Sequence, residues 1–202
     1  MYTGKEHLTF NGTPINSTIL DYWSWAYSDL IRNVNRGAFA EFIVHEAMNF
    51  QSGNTPPREN FRISMDAYDL LSPEGIRVEV KSSAYIQALE DDHLARISFR
   101  IAPAKNLDEN GNYSEKSVYA RHSDVYVFCV WTAKSCNQDI LDLSLWDFYV
   151  ISTKLLDEKV PNQKTITFHS LLALKPTKTD FWNLHSAIKD SYNVPVTTYL
   201  PL

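Results

Sequence analysis

The stretch Met65–Gln87, MDAYDLLSPEGIRVEVKSSAYIQ, has the pattern of a β-hairpin. Its centre, Ser72–Gly75, is typical of a turn, because proline presets φ and glycine readily adopts a positive φ. The segment Ile76–Lys81 then alternates β-branched apolar residues with charged ones, which predicts a strand. Side chains two apart share a strand face, so the charged residues, Glu79 and Lys81 among them, lie opposite an apolar face. We therefore expect a sheet with its core on one side of this strand and charged groups on the other.

Those charged groups suit metal-assisted phosphodiester hydrolysis. Asp69 lies on the first arm of the hairpin and Glu79 on the second. Two such carboxylates can reach one Mg²⁺, which prefers oxygen ligands and keeps several waters. Lys81, two residues after Glu79 on the same face, can orient or deprotonate a water or stabilise charge on a phosphate. Together these are the groups that metal-dependent hydrolysis of a phosphodiester requires.

The length of the turn decides which aspartate faces Glu79, because a shift of one residue moves every side chain to the other face. A three-residue loop places Asp69 opposite Glu79. A loop of two or four residues instead pairs Tyr68 with Glu79 and Asp66 with Lys81. The turn residues alone leave both registers open.

Asp69 followed by Glu79-Val80-Lys81 resembles the D-(x)n-(D/E)-x-K signature of the PD-(D/E)XK nuclease superfamily, the restriction-endonuclease-like fold. The next residues, Ser82–Tyr85, also resemble bacterial members. Tyr68 stands where the proline of the name would be, and many members lack that proline. The resemblance favours Asp69 over Asp66 as the metal ligand. It implies an αβββαβ core over about residues 36–131.

A second D/E-x-K triplet, Asp157-Glu158-Lys159, lies in a polar stretch just before Pro161. It has no apolar alternation around it, so we predict a loop there and exclude it as a catalytic motif.

A helix is expected before the hairpin, from about Asn35 as N-cap to Phe50. Residues 36–48, RGAFAEFIVHEAM, resemble the helix that carries a metal-proximal glutamate in the superfamily. The resemblance therefore implies that Glu41 assists as a metal ligand or through a water, with Glu46 as the less favoured alternative. The competing interpretation of Glu41 is an ordinary surface carboxylate. The apolar stripe predicted for this helix is Phe39, Phe42, Ile43, Ala47 and Phe50.

The other patterns predict a single α/β domain with a central mixed sheet flanked by helices. A polar arm reaches about residue 17, and Thr18 with Asp21 starts a helix that continues to about Asn33. Asp124–Trp131, DVYVFCVW, reads as a buried central strand. Residues from about 137 to 202 form a C-terminal extension whose last helix begins near Thr179.

Composition narrows the class of protein. The chain has 202 residues, of which 44% are hydrophobic and 13% aromatic, so it can bury a sizeable core. Its formal net charge of -5 means that only local basic groups can contact nucleic acid. Cys129 and Cys136 are the only cysteines, and no signal peptide or apolar run of membrane length precedes them. These features predict a reduced, cytoplasmic protein with no membrane contact, in which Cys129 is inert core.

The resemblance implies a Mg²⁺-dependent DNA endonuclease, of which a type II restriction enzyme is one form, with Mn²⁺ as an alternative cation. Duplex DNA is the expected partner, contacted by Ser83, Tyr85 and Gln87, and cutting both strands suggests a homodimer. A non-catalytic nucleic-acid-binding or assembly protein on the same fold is the alternative. For His45, we favour a packed or surface residue over a site residue. His122 and Asp124, which flank the start of the central strand, are weaker site candidates.

Overall fold

The computed structural model describes residues 2–51, 67–86, 94–105, 119–135 and 137–193. Five helices and nine strands are assigned within these ranges. In chain order they are β1 (His7–Phe10), β2 (Thr13–Thr18), α1 (Ile19–Tyr27), α2 (Asn33–Gln51), β3 (Leu70–Leu71), β4 (Arg77–Ala84), β5 (Ser98–Arg100), β6 (Val125–Trp131), β7 (Trp146–Ser152), α3 (Thr153–Lys159), β8 (Thr165–Thr167), α4 (Phe168–Ala173), β9 (Thr177–Thr179) and α5 (Leu184–Asn193).

The central sheet has five strands in the order β3-β4-β6-β7-β9. Strand β4 runs parallel to β6, and the other neighbours are antiparallel, so the sheet is mixed as predicted. Every residue of β6 is buried, which confirms the central strand expected from its unbroken apolar sequence. Strands β7 and β9 belong to the same sheet, so the C-terminal region forms part of the core rather than an appendage.

The connection from β4 to β6 is where the expected αβββαβ order would place a helix. Its described residues, 94–105 and 119–124, contain strand β5 and an isolated bridge between Ala104 and Ala120, and no helix is assigned in them. Strand β5 pairs with β8 in a separate two-stranded sheet. The observed fold is therefore a mixed α/β sheet between helices, with a small ribbon added on one face.

Each face of the central sheet packs against its own layer. Helices α2 and α5 cover the face that carries Val78 and Val80 of β4. The ribbon β5–β8, with α3 and α4, covers the face that carries Tyr126 and Phe128 of β6. Since Glu79 and Lys81 pair in register with Tyr126 and Phe128, they project towards this second face. The charged side of β4 thus lies opposite the α2 layer, as the alternation predicted.

Helix α2 packs with only part of the predicted stripe: Ile43 and Ala47 are buried and Phe39 packs against the core. It begins at Asn33 rather than at an Asn35 N-cap, and Phe42 and Phe50 are 56% and 65% exposed. Ala40, Val44 and Met48 face the sheet in their place. The buried apolar residues of α2 are Ala40, Ile43, Val44, Ala47 and Met48.

The N-terminal residues form a hairpin, β1–β2, where a polar arm was expected. Its turn contains Asn11 and Gly12 with φ of 49° and 80°, which is the left-handed backbone that an Asn-Gly pair favours in hairpins. The predicted capping box is confirmed, since Thr18 N–H donates to Asp21 Oδ2 at 2.7 Å and Asp21 N–H donates to Thr18 Oγ1 at 3.2 Å. Helix α1 nevertheless ends at Tyr27, well before Asn33, and none of its side chains is buried.

The triplet 157–159 lies in helix α3, so the loop predicted there was wrong, although the triplet is not on a strand either. Asp157 is held by Arg121, whose side chain is wholly buried. The last helix begins at Leu184 rather than near Thr179, which belongs to β9. No helix among the described residues is long and apolar enough to cross a membrane.

Candidate active site

The turn of the predicted hairpin sets the register of the site. Gly75 N–H donates to the Ser72 carbonyl at 2.9 Å, and Ser72 N–H donates to the Ile76 carbonyl at 2.9 Å, so the loop holds three residues. Gly75 has φ of +84°, a backbone conformation that favours glycine. Leu71 then pairs with Arg77 and Leu70 with Val78. Continued by one residue, this register places Asp69 opposite Glu79.

Asp69 lies where the pairing of β3 with β4 ends. Its Oδ2 accepts the Val80 N–H at 2.8 Å. The carboxylate therefore replaces the backbone carbonyl that would accept this N–H if β3 continued. The side chain is 25% exposed. The hydrogen bond fixes the carboxylate at the edge of the sheet, where it can be reached from outside. Asp66, the other candidate, lies outside the described residues.

Lys81 joins the two carboxylates. Its Nζ lies 2.5 Å from Glu79 Oε1 and 4.0 Å from Asp69 Oδ2. The two carboxylates are therefore separated by no more than the sum of these distances, on the charged side of β4. The three side chains are between 20% and 27% exposed, so the cluster is half-buried and open on one side. The side chains of Asp69, Glu79 and Lys81 therefore converge, as expected from the sequence.

Negative charge exceeds positive charge in this cluster. Burial, followed by the negative charges of Glu79 and Glu41, raises the pKa of Asp69 to about 6. The Lys81 ammonium and the Val80 N–H act in the opposite direction without cancelling these effects. A carboxyl group in this position holds a proton more tightly than in water, because it is desolvated and because Lys81 does not offset the neighbouring negative charges. An additional cation would offset this excess of negative charge.

Glu41 is the residue that brings α2 into the site. It is 8% exposed, and its negative charge raises the pKa of both Asp69 and the buried Cys129 thiol. The interpretation of Glu41 as a surface carboxylate is thus wrong. It is buried because the stripe that α2 turns towards the sheet leaves Phe42 exposed instead. Helix α2 covers the sheet face opposite the one towards which Glu79 projects.

The side chains expected to contact DNA differ in their surroundings. Ser83 is 6% exposed, because its side chain points into the face that the ribbon covers. Tyr85 is half-buried, with the Lys134 ammonium over its ring. Gln87 lies outside the described residues. Lys134 had no signal in the sequence, since it lies in the loop after β6 and reaches Tyr85 only because β6 pairs with β4.

Three weaker candidates have local structural partners. Asp124 accepts from the Arg77 backbone N–H and side chain, at 3.0 Å and 2.6 Å, and so joins the starts of β4 and β6. His122 Nε2 lies 2.8 Å from the Ala104 carbonyl oxygen. His45 Nδ1 lies 3.2 Å from Glu46 Oε1, so Glu46 is engaged on its own helix. These contacts tie neighbouring segments together.

Carboxylate oxygens are the donors that the cluster offers to a metal ion. Within the described ranges, no three His, Cys, Asp or Glu side chains are grouped closely enough to form a metal site by themselves. Mg²⁺ keeps several waters and is commonly held by one or two carboxylates, so Asp69 and Glu79 fit such an ion. No protein-family model matches the sequence, and no curated protein is significantly similar to it.

Proposed function

We propose that this protein is a metal-dependent endonuclease that hydrolyses phosphodiester bonds in DNA, in the manner of the PD-(D/E)XK nucleases. The observation that carries the proposal is the contact of one ammonium, Lys81 Nζ, with both Asp69 and Glu79. Residues 12 positions apart in the chain meet there only because the hairpin has a three-residue loop. A strand face that is only solvated would not need the Asp69 carboxylate to be fixed by a backbone hydrogen bond next to the Glu79 carboxylate.

The proposed cation ligands are Asp69 and Glu79, with Glu41 contributing as a ligand or through a water. Burial and, after it, their surplus negative charge raise the pKa of Asp69, and this surplus charge supports a cation there. Mg²⁺ is the favoured ion and Mn²⁺ the alternative, since both accept oxygen ligands. When bound, such an ion stabilises the charge that develops on the phosphate.

Lys81 is the proposed group for the attacking water. In hydrolysis the water oxygen bonds to phosphorus, the bond from phosphorus to one deoxyribose oxygen breaks, and that oxygen takes a proton. A protonated lysine can orient the water through its hydrogen bonds and offset charge on the phosphate oxygens. Its side chain is 27% exposed and held between two carboxylates, so it is positioned without being sealed from the substrate.

The substrate strand is proposed to continue from the cluster towards the end of β4. The Lys134 ammonium lies over the Tyr85 ring and adds a positive charge there. Such a charge can contact a phosphate, and Tyr85 remains a proposed contact next to it. Gln87 remains a proposed DNA contact, whereas the buried Ser83 would support strand β4. A local positive side chain is needed here, because the chain as a whole carries a net charge of -5.

The decisive experiment compares cleavage and binding. Wild-type protein is incubated with plasmid DNA in Mg²⁺, Mn²⁺, Ca²⁺ or EDTA, and strand breaks are followed by gel electrophoresis. We expect breaks with Mg²⁺ or Mn²⁺, none with EDTA, and a loss of roughly 10²-fold or more in Glu79→Gln. DNA binding without cleavage under all conditions would instead favour the non-catalytic nucleic-acid-binding alternative.

The chain supplies its own matched control for the lysine. Lys159→Met changes the lysine of the second triplet, which lies on helix α3 and is paired with Glu158 at 2.6 Å. Lys81→Met should abolish most cleavage while Lys159→Met retains it. Equal cleavage by the two variants would contradict the assignment of the site.

A further inference from the structure

Residues 2–27, which contain β1, β2 and α1, carry many exposed apolar side chains. We call them the N-terminal module. None of its residues belongs to either hydrophobic core of the described structure. Nine of its large hydrophobic side chains are between 38% and 84% exposed. They are Tyr2, Leu8, Phe10, Ile15, Leu20, Tyr22, Trp23, Trp25 and Tyr27.

The module has little to stabilise it from within. A single two-stranded hairpin is marginal in water, and a helix of nine residues is shorter than isolated helices that persist. Its parts are joined by local bonds, such as Ile19 N–H to the Glu6 carbonyl and Leu20 N–H to the Gly4 carbonyl, both at 3.0 Å. Trp23 packs closely on Gly4, where a Cβ would come within 3.0 Å of its ring. An ordered module of this kind is expected to have its apolar surface covered.

We propose that the cover is the N-terminal module of a second copy of this chain, in a two-fold dimer. The available area is of the right size. At roughly 200 Å² for an aromatic side chain, the exposed fractions of the six aromatic residues amount to on the order of 700 Å². A standard interface buries about 800 Å² on each partner, and the three aliphatic side chains add to the aromatic area.

Charge favours a second copy over other partners. The module contains only three formally charged residues, Lys5, Glu6 and Asp21. Both carboxylates already have partners, since Glu6 accepts the Thr3 N–H at 2.9 Å and Asp21 accepts the Thr18 N–H at 2.7 Å. Two chains of net charge -5 repel each other elsewhere, whereas these nearly neutral faces can meet. Nucleic acid or an anionic membrane would instead require clustered Lys and Arg.

A two-fold interface also suits the residue types. In such an interface each side chain meets the same patch on the partner, so the patch must be complementary to itself. Aromatic rings satisfy this condition, because they pair with other rings edge-to-face or offset, as Tyr22 and Tyr27 do within the module. Trp25, which is 84% exposed, is the strongest candidate for an anchor.

The test is the molar mass of the full chain in solution. Sedimentation equilibrium over micromolar concentrations should give twice the chain mass of 23.2 kDa for the wild type. Trp25→Ser should raise the dissociation constant by roughly 30-fold or more, the effect of losing a tryptophan anchor. Adding Phe10→Ser should leave the 23.2 kDa monomer. Trp182→Ser, which removes a tryptophan 59% exposed outside the module, is the matched control and should remain dimeric.

Two results would overturn the proposal. One is a wild type that stays monomeric throughout, whether or not it binds lipid vesicles or other proteins. The other is a dimer that Trp182→Ser dissociates and the module variants do not, because the interface would then lie elsewhere. Circular dichroism tests whether each variant is folded. If the double variant is unfolded, the dissociation constant of Trp25→Ser by itself decides the test. These outcomes are independent of nuclease activity.

Discussion

Asp69→Asn should make the protein more stable at pH 8 while removing the proposed nuclease activity. Asparagine has the shape of aspartate, and its Oδ1 can still accept the Val80 N–H that Asp69 accepts at 2.8 Å. The substitution therefore removes the negative charge and little else. That charge is unfavourable in the folded protein, since burial and the neighbouring glutamates raise the pKa of Asp69 from 3.8 to about 6. Activity is lost because a proposed cation ligand has lost its charge.

The size of the effect follows from that pKa difference. Each pKa unit corresponds to about 1.36 kcal/mol, so roughly two units set an upper limit of about 3 kcal/mol. We expect about 1–3 kcal/mol, since part of the side chain is exposed to solvent. The sign depends on pH. Between pH 3.8 and about 6 the folded wild type keeps a proton that the unfolded chain releases, so wild-type stability falls as pH rises through this window.

The assay is urea unfolding of both proteins in EDTA, followed by circular dichroism from pH 3.5 to 8. The difference in unfolding free energy should be near zero at the acid end, grow up to about pH 6 and then stay constant. Mg²⁺ should stabilise the wild type and not the variant, because a ligand stabilises only the state that binds it. A difference that is independent of pH, or a variant less stable at pH 8, would refute the reasoning about the cluster.

Three further substitutions have defined outcomes. Lys81→Met should reduce the initial rate of DNA cleavage by roughly 10²-fold or more. It should also lower the unfolding free energy measured in urea at pH 8 by about 1 kcal/mol, because Asp69 and Glu79 lose their shared counter-charge. Gly75→Ala should lower the unfolding free energy in urea by about 1–2 kcal/mol, because alanine rarely adopts the φ of +84° found at this position. A Cβ there would meet no neighbour, so backbone strain is the cause, and unchanged stability would refute it. Lys134→Ala should lower the slope of log binding constant against log salt by about 1 in fluorescence anisotropy with duplex DNA, and an unchanged slope would exclude a phosphate contact.

The sequence by itself determined the local features that lead to the candidate site. Proline and glycine in the turn, followed by alternation from Ile76 to Lys81, were sufficient for the hairpin and for the separation of its two faces. The capping box at Thr18 and the buried strand β6 were equally readable. These features depend on backbone sterics, on hydrogen bonds over a few residues and on the burial of a continuous apolar run. Such forces act within one segment, so its residues alone indicate the outcome.

Only the tertiary structure decided which distant residues meet and how they are buried. The register of Asp69 required the hydrogen bonds of the formed turn, because two loop lengths were compatible with the same residues. Glu41 became buried because α2 turns a stripe without Phe42 towards the sheet, and Lys134 reached Tyr85 through strand pairing. The raised pKa of Asp69 is the sum of burial and neighbouring charges. Each of these depends on distances between residues far apart in the chain, and packing of the whole sheet with its helices sets those distances.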